Sequence, residues 1–540
     1  MSGVAGISTL EQVNLTSTPR PVAHLASLPD ERAALAPEAA CIDDDRVALT
    51  NREFANRVLA VAQHLRSHGV EKGDVVAVML PNRVEFVVIM FATWRLGATL
   101  TPLNPVLTAT EAGYQLADSG ARVLVTDHAP ADMNGPAQID IADLPTEPKP
   151  TDLEAYIDPA ALALLIYTSG TTGSPKGVML THSNLSAMVG MIVSAFTLMP
   201  DDHSLLILPL FHVNGIVASV LSPLAAGGST TITGRFTPTT FFETVEAVRP
   251  TFFSAVPTIY SMLVNLPDGN RPDTTSVRFA ACGAAPMPPE LIGQFEGRYG
   301  ITLVEGYGLS ECTCAATVNP LGRGKPGTVG LPLPGQEVAL RNDRGHIGRE
   351  GRGEVVLRGP NVMRGYLNKP DDTALTLADG WLRTGDVGYF DDDGYLVLVD
   401  RLKDMIIRGG ENIYPKEIEN VLYSHPDVVE AAVVARSHDV LGEEPVAFVS
   451  LRRNAQATPD ELIDHCSSSL SRFKVPRGVF VLETLPKNAV GKISKLPLRE
   501  LLARANGPAN CPVQLHRSRP ARTVGLNGHQ LQGLLARRIV

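Results

Sequence analysis

The sequence predicts an α/β protein: two α/β units in the N-terminal part, a β-rich unit closing them, and a separate small α+β domain. Three observations carry this. Helix-length segments and short apolar runs alternate from Leu49 to Asp127, and again from Leu205 to Ala281. From Gly353 the texture changes to short strands and tight turns. The chain has 540 residues. At roughly 150 residues per domain that length implies three or four folding units.

In order, Asn51–His68 is amphipathic, Asp74–Met79 is a short apolar strand and Val84–Leu96 a buried helix, which is the βαβ rhythm of a parallel sheet. Between Asp140 and Asp158 the chain turns acidic, with Pro145, Pro148 and Pro150, and reads as a solvated connection at a subdomain boundary. Leu185, Met188, Val189, Ile192, Val193 and Phe196 recur at helical spacing. A helix therefore starts near His182, with its phosphate-favouring N-terminus expected to point back at the preceding loop. Strands at Leu205–Leu208, Phe252–Ser254 and Val277–Ala281 make a second α/β unit. Val387–Val399 fold as a hairpin about Asp391-Asp-Asp-Gly394. Beyond Asp400 come Gly409-Gly410, a helix over 415–424, strands over 428–435 and 445–451, a helix over 459–471 and a strand over 478–483. These form a compact domain of about one hundred residues.

Composition narrows the function. Hydrophobic residues at 44% and charged residues at 19% are ordinary for a globular enzyme, and a net charge of −10 argues against nucleic acid as a partner. The tail 506–540 holds Arg517, Arg519, Arg522, Arg537 and Arg538 and no acid; it is +5 against −15 for the rest, and reads as disordered. Met1–Arg20 lacks the pattern of a secretory signal, and no long apolar run predicts a transmembrane segment. Six cysteines without a disulfide framework fit the cytoplasm, and Cys312-x-Cys314 alone is a poor metal motif.

The most informative stretch is Tyr167-Thr-Ser-Gly-Thr-Thr-Gly-Ser-Pro-Lys-Gly-Val178, which follows the apolar run Ala161–Ile166. Its glycines let backbone N–H groups approach an anion, its hydroxyls donate, and Lys176 adds a point charge. No hydroxyl follows that lysine, so the loop is not the G-x-x-x-x-G-K-[ST] type. It is a polyphosphate loop of another kind.

Further motifs follow in a fixed order: Leu208-Pro-Leu-Phe-His212, Gly283-Ala-Ala-Pro286, Gly306-Tyr-Gly-Leu-Ser-Glu311, Thr384-Gly-Asp386, Asp400-Arg-Leu-Lys403, Gly409-Gly-Glu-Asn412 and Pro486-Lys-Asn-Ala-Val-Gly-Lys492. With these, residues 25–505 resemble the acyl-adenylate-forming superfamily of acyl-CoA synthetases, adenylation domains and luciferases. The resemblance implies a large domain over 25–400, built of two α/β sheets and a distorted β-barrel, and a small mobile α+β domain over 401–505. Residues 1–24 would be an extension.

It also implies an AMP-forming acid–thiol ligase that uses ATP, Mg²⁺ and CoA. A carboxylate attacks the α-phosphorus, pyrophosphate leaves, and a thiol cleaves the mixed anhydride. Thr168, Ser169, Gly170, Thr171, Thr172 and Lys176 would hold the β- and γ-phosphates, and Glu311 the Mg²⁺. Gly283, Ala284, Ala285, Pro286, Glu305, Gly306, Tyr307 and Gly308 would border the adenine, Ser310 the α-phosphate, and Asp386 and Arg401 the ribose. Ser310 stands where the family more often has threonine. Lys492, His212, Glu311 and Thr172 would act at the reacting atoms. The acid pocket would comprise His212, Val213, Asn214, Val256, Gly283 and Gly306, with Lys403 as hinge and Gly409 and Gly410 lining the CoA channel.

Other readings have definite content. The activated group, a carboxylate or another oxyanion such as nitrite, can pass to a carrier-protein thiol or an amine; no carrier domain follows the ligase part. A non-catalytic nucleotide sensor would not need Lys492. Parts of the sequence resemble oxalate–CoA and 4-coumarate–CoA ligases, and Arg235 is a weak candidate for a second carboxylate. The sequence does not choose among a short dicarboxylate, an aryl-propenoate and a fatty acid, and it leaves the oligomeric state open.

Overall fold

The computed structural model describes residues 24–505 apart from 129–134, 169–174, 268, 270, 286, 410, 454 and 488–491, and leaves aside the side chains of 403, 412, 504 and 505. Ser169, Gly170, Thr171, Thr172, Pro286, Gly410 and the basic tail therefore lie outside the described residues, as does the side chain of Lys403.

The βαβ rhythm is realised in a seven-stranded sheet in the order Gly365–Tyr366, Lys176–Thr181, Leu162–Thr168, Thr99–Pro102, Val75–Met79, Val123–Thr126, Ala137–Asp140. The pairs among its central strands are parallel. A capping box, Thr50 with Glu53, starts the amphipathic helix Asn51–Ser67, which satisfies two of the free N–H groups there. Helix Val84–Arg95 is buried on all sides, and its Trp94 Nε1 donates to the Ala163 carbonyl at 2.8 Å, tying helix to sheet.

A nine-stranded sheet carries the second α/β unit, with parallel strands His203–Leu206, Phe252–Ala255, Phe279–Cys282 and Leu303–Tyr307 at its centre. One hydrophobic core joins the two sheets, and a second fills the outer face of the nine-stranded one. A six-stranded antiparallel sheet follows, in which Trp381–Phe390 and Leu396–Arg401 form the expected hairpin, with Gly394 at φ +83° in its turn. The C-terminal five-stranded sheet packs helices on both faces around its own two cores.

Two expectations are corrected. The acidic, proline-rich stretch is no boundary: it joins Ala137–Asp140 to Leu162–Thr168 within one sheet, and Gln63 and the Arg95 carbonyl pin it to the neighbouring helices. The helix His182–Phe196 does not aim its N-terminus at the glycine loop. Leu162–Thr168 and Lys176–Thr181 form an antiparallel hairpin with Thr168 opposite Lys176, whereas Thr181 lies opposite Leu162. At ~3.4 Å per residue the helix starts roughly 17 Å from the loop. Its first turn is closed instead by Thr181 and Asn184.

Candidate functional site

Lys176 leaves the hairpin as a short-range anchor. Its Nζ meets Asp372 Oδ1 at 2.9 Å and sits 5.3 Å above the ring of Tyr366. Tyr366, paired with Val178 at the sheet edge, donates its hydroxyl to Glu311 Oε1 at 2.7 Å. Burial and the Glu311 carboxylate raise that hydroxyl well above the ordinary tyrosine range, so it stays a donor. Tyr366 thus joins the two ends of the site, Lys176 and Glu311, which are far apart in sequence. Sequence reasoning missed both Tyr366 and Asp372; the only signal would have been an aromatic in an edge strand. Ser310 and Glu311 share a 3-10 turn, Ser310–Cys312.

The second cluster surrounds Asp386. Its Oδ2 accepts from the Tyr307 hydroxyl at 2.6 Å and its Oδ1 from Arg401 Nε at 2.9 Å, because the hairpin sets Asp386 opposite Arg401. Burial first, and then Asp386, push the Tyr307 hydroxyl far above its usual range. The glycines beside it are structural needs. A Cβ on Gly308 would lie 2.1 Å from the Cys314 carbonyl oxygen, and one on Gly306 3.1 Å from that of Thr317. Glu305 on the same strand is 4% exposed and accepts from the Met287 N–H at 3.1 Å. Burial raises its carboxyl to about 7, against the opposing pull of Lys416. Ala284 holds φ +69°, a left-handed conformation that costs an alanine about 1–2 kcal/mol.

A cavity of about 290 Å³ lies between the large and small domains. Ala284, Ala285, Glu305, Gly306, Tyr307, Gly308, Asp386 and Arg401 line one side, and Lys416 and Lys492 the other. The structure therefore brings Lys492 into the same cavity as Tyr307 and Asp386, whereas Gly409 is not part of this cavity. Gly409 has φ +60° and donates its N–H to the Leu441 carbonyl at 2.8 Å.

Lys416 is the third residue that sequence reasoning missed. Its backbone N–H donates to Asp400 Oδ2 at 2.8 Å and its Nζ to the Leu398 carbonyl at 3.3 Å. Burial lowers its ammonium from the usual lysine range and raises Asp400 to about 6. These bonds span the 3-10 turn Leu402–Asp404, which Arg499 grips from the other side through Asp404 at 2.6 Å.

His212 precedes a π-helix, Asn214–Leu221, a distortion that in other proteins often accompanies binding sites. His212 Nε2 and Asn214 Oδ1 are buried and have no hydrogen-bond partner among the described residues. Burial lowers the His212 imidazole to about 4, so it is neutral at physiological pH. A Cβ on Gly283 would approach Asn214 Nδ2 at 3.9 Å and the Gly306 carbonyl oxygen at 3.7 Å, so these three residues border one space. Val213 and Val256 are buried. Arg235 is exposed. Cys312 and Cys314 are free thiols that burial pushes up to about 12, and no metal-binding group of three or more His, Cys, Asp or Glu occurs among the described residues.

Two α/β sheets, a β-rich unit and a small domain across a shared cleft define the class of adenylate-forming enzymes. Residues 29–367 match the AMP-binding enzyme family and residues 417–492 the AMP-binding enzyme C-terminal domain, so the chain belongs to the AMP-binding enzyme family. It is 38% identical over 477 residues to an oxalate–CoA ligase of Arabidopsis thaliana, covering 83% of this chain and 92% of the relative. It is 38% identical over 489 residues to a feruloyl-CoA synthase of Amycolatopsis, covering 88% and 98%. The fold is similar to that of ATP-bound MatB from Rhodopseudomonas palustris, with TM-score 0.82 and 30% identity over 88% of this chain and 98% of that one. The protein is a ligase, an AMP-forming acid–CoA ligase that works through an acyl-adenylate. No helix among the described residues is long and apolar enough to cross a membrane.

Proposed function

We propose that the cleft between residues 25–400 and 401–505 is where this ligase joins ATP to a carboxylic acid and then passes the acyl group to CoA. The observation that carries this reading is that Lys492 of the small domain shares one cavity with Tyr307, Asp386 and Arg401 of the large one. Lys176 and the hydroxyls of Thr168 to Thr172 hold the β- and γ-phosphates. Asp386, oriented by Tyr307 and Arg401, accepts from the ribose hydroxyls, and Tyr307 and the Gly283–Ala285 backbone border the base. His212 and Asn214 supply neutral hydrogen-bonding atoms beside the acid.

A carboxylate that Tyr366 already orients suits Mg²⁺, which keeps most of its waters and needs one or two protein oxygens. Glu311 would hold that ion, which neutralises phosphate charge. Lys492 places a positive charge where charge develops between the attacking carboxylate and the α-phosphate. Lys403 acts as the hinge for thiol attack, and Gly409 and Gly410 admit the narrow thiol arm. A cytoplasmic location belongs to the same proposal; the five described cysteines are free.

The test is pyrophosphate release from ATP and Mg²⁺ across oxalate, malonate, aryl-propenoates, fatty acids and nitrite, each with and without CoA. Release that one acid class elicits and CoA accelerates supports the reading and names the acid. Acid-dependent release indifferent to CoA moves the acceptor to a carrier protein or an amine.

A further inference from the structure

Lys416 stands where a cation is locally unfavourable. It follows Pro415 in the first turn of helix Pro415–Tyr423, and the N-terminal end of a helix already carries partial positive charge. Its side chain lines the cavity between the two domains. Burial lowers its ammonium, and the carboxylates that oppose this are Glu305, Glu419, Asp400 and Asp386. Three of these four are otherwise engaged. Glu419 is paired with Lys495 at 2.7 Å, Asp386 with Tyr307 and Arg401, and Asp400 accepts from the backbone N–H groups of Arg401 and Lys416.

Glu305 is the exception. Among the described residues its carboxylate has no direct ion pair and accepts one hydrogen bond, from the Met287 N–H. A buried carboxylate so sparsely satisfied is costly to charge, and the cation that draws on it is Lys416. The two residues belong to different domains. Glu305 lies in the central strand Leu303–Tyr307 of the nine-stranded sheet, and Lys416 in the first α-helix of the small domain. Lys416 also ties that helix to the last strand of the large domain, through its N–H to Asp400 and its Nζ to the Leu398 carbonyl.

All of these contacts join the domains in the orientation in which Lys492 shares a cavity with Tyr307 and Asp386. A turn of the small domain carries Lys416 away from Glu305, so their attraction favours one orientation over the other. We propose that Lys416 is a positioning residue for anhydride formation: its ammonium, facing Glu305 across the cleft, holds the small domain where Lys492 meets Tyr307 and Asp386. The inference rests on the proposed function, in which the anhydride forms in this orientation and the small domain then turns for thiol attack.

The experiment measures the two half-reactions separately at pH 8, above the value of about 7 to which burial raises Glu305. Acid-dependent pyrophosphate release reads anhydride formation, and thioester formation from supplied acyl-adenylate and CoA reads the second step. Lys416→Met keeps an unbranched stem and the backbone N–H to Asp400 but removes the charge. It should lower kcat for pyrophosphate release about tenfold, as loss of one partly buried charge contact does, with the KM for ATP within about twofold. Thioester formation should stay within about twofold of wild type, and Lys416→Arg should recover most of the lost rate. Glu305→Gln alone should show the same split, which keeps the test decisive where Lys416→Met does not fold. In the Glu305→Gln background Lys416→Met should cost less than about twofold more, because the pair is already broken. Equal losses in both half-reactions, no recovery with arginine, or an undiminished cost in the Glu305→Gln background would overturn the role. Wild type that releases no pyrophosphate with any acid, or Lys492→Ala that slows both half-reactions equally, would instead remove the reading on which the role depends.

Discussion

Tyr307 donates its hydroxyl to Asp386 across 79 residues of sequence at 2.6 Å, and Arg401 completes the pair's surroundings from the hairpin partner strand. Three chain segments therefore meet at one carboxylate that is 7% exposed. A group held this tightly suits the role proposed for it, a fixed acceptor for the two hydroxyls of a ribose.

Removing the donor while keeping the ring isolates that role. Tyr307→Phe retains the aromatic face but leaves Asp386 short of one hydrogen bond, at a cost of about 1–2 kcal/mol in stability. It should raise KM for ATP roughly fivefold to tenfold with kcat little changed, and Asp386→Asn should do more, both measured by acid-dependent ATP–pyrophosphate exchange. An unaltered KM for ATP in Asp386→Asn would remove the ribose role.

Glu305 gives a pH signature. Its folded carboxyl is raised by burial to about 7, above the ordinary glutamate value of 4.5. The native protein therefore binds more protons than the unfolded chain between those two values, and this group's contribution to stability falls as pH rises through that window, by up to about 3 kcal/mol. Asp400, raised to about 6, acts in the same direction. Glu305→Gln should reduce the difference in urea-unfolding free energy between pH 5 and pH 7.5. A pH difference identical to that of wild type would show that Glu305 does not titrate in the window.

How much of this was readable in the sequence depends on range. The strands Val75–Met79 and Phe252–Ala255 and the helix Val84–Arg95 are legible because apolar runs of the right length fix them locally. The glycine loop was legible by composition, but not that a second strand, Lys176–Thr181, follows it at once: its apolar residues look equally like the start of the next helix. Tyr366 and Lys416 were illegible for a different reason. One reaches Glu311 through a two-residue edge strand, and the other reaches Leu398 and Asp400 across the turn Leu402–Asp404, and neither pairing leaves a periodic trace. The orphaned polar atoms of His212 and Asn214 likewise depend on which neighbours the fold withholds.

Ala284 tests whether backbone strain is kept for function. At φ +69° a glycine would be unstrained, so Ala284→Gly relieves about 1–2 kcal/mol and returns part of it as unfolded-chain entropy. The expected result is an unfolding free energy equal to wild type or higher by up to about 1 kcal/mol, measured by denaturant titration. Because this residue lines the cleft, a gain in stability together with a higher KM for ATP would mark the strained alanine as a positioning element. A loss of stability would mean that its methyl group packs more favourably than the strain costs.

The two domains can be separated by half-reaction. Lys492 lines the cleft with Tyr307 and Asp386, and Lys403 lies in the turn Leu402–Asp404, which is bound on one side by Lys416 and on the other by Arg499. If Lys492 stabilises charge only while the anhydride forms, Lys492→Ala should lower acid-dependent pyrophosphate release about a hundredfold or more and leave thioester formation from supplied acyl-adenylate near wild type. Lys403→Pro restricts a backbone torsion at the turn and should do the reverse, with pyrophosphate release intact and thioester formation lost. Equal losses in both half-reactions for Lys492→Ala would point to a structural role instead, since a collapsed cleft cannot tell one step from the other. Normal thioester output from Lys403→Pro would move the hinge away from residue 403, and the contacts of Lys416 with Leu398 and Asp400 would then be the next place to look for the restraint that must break between the two steps.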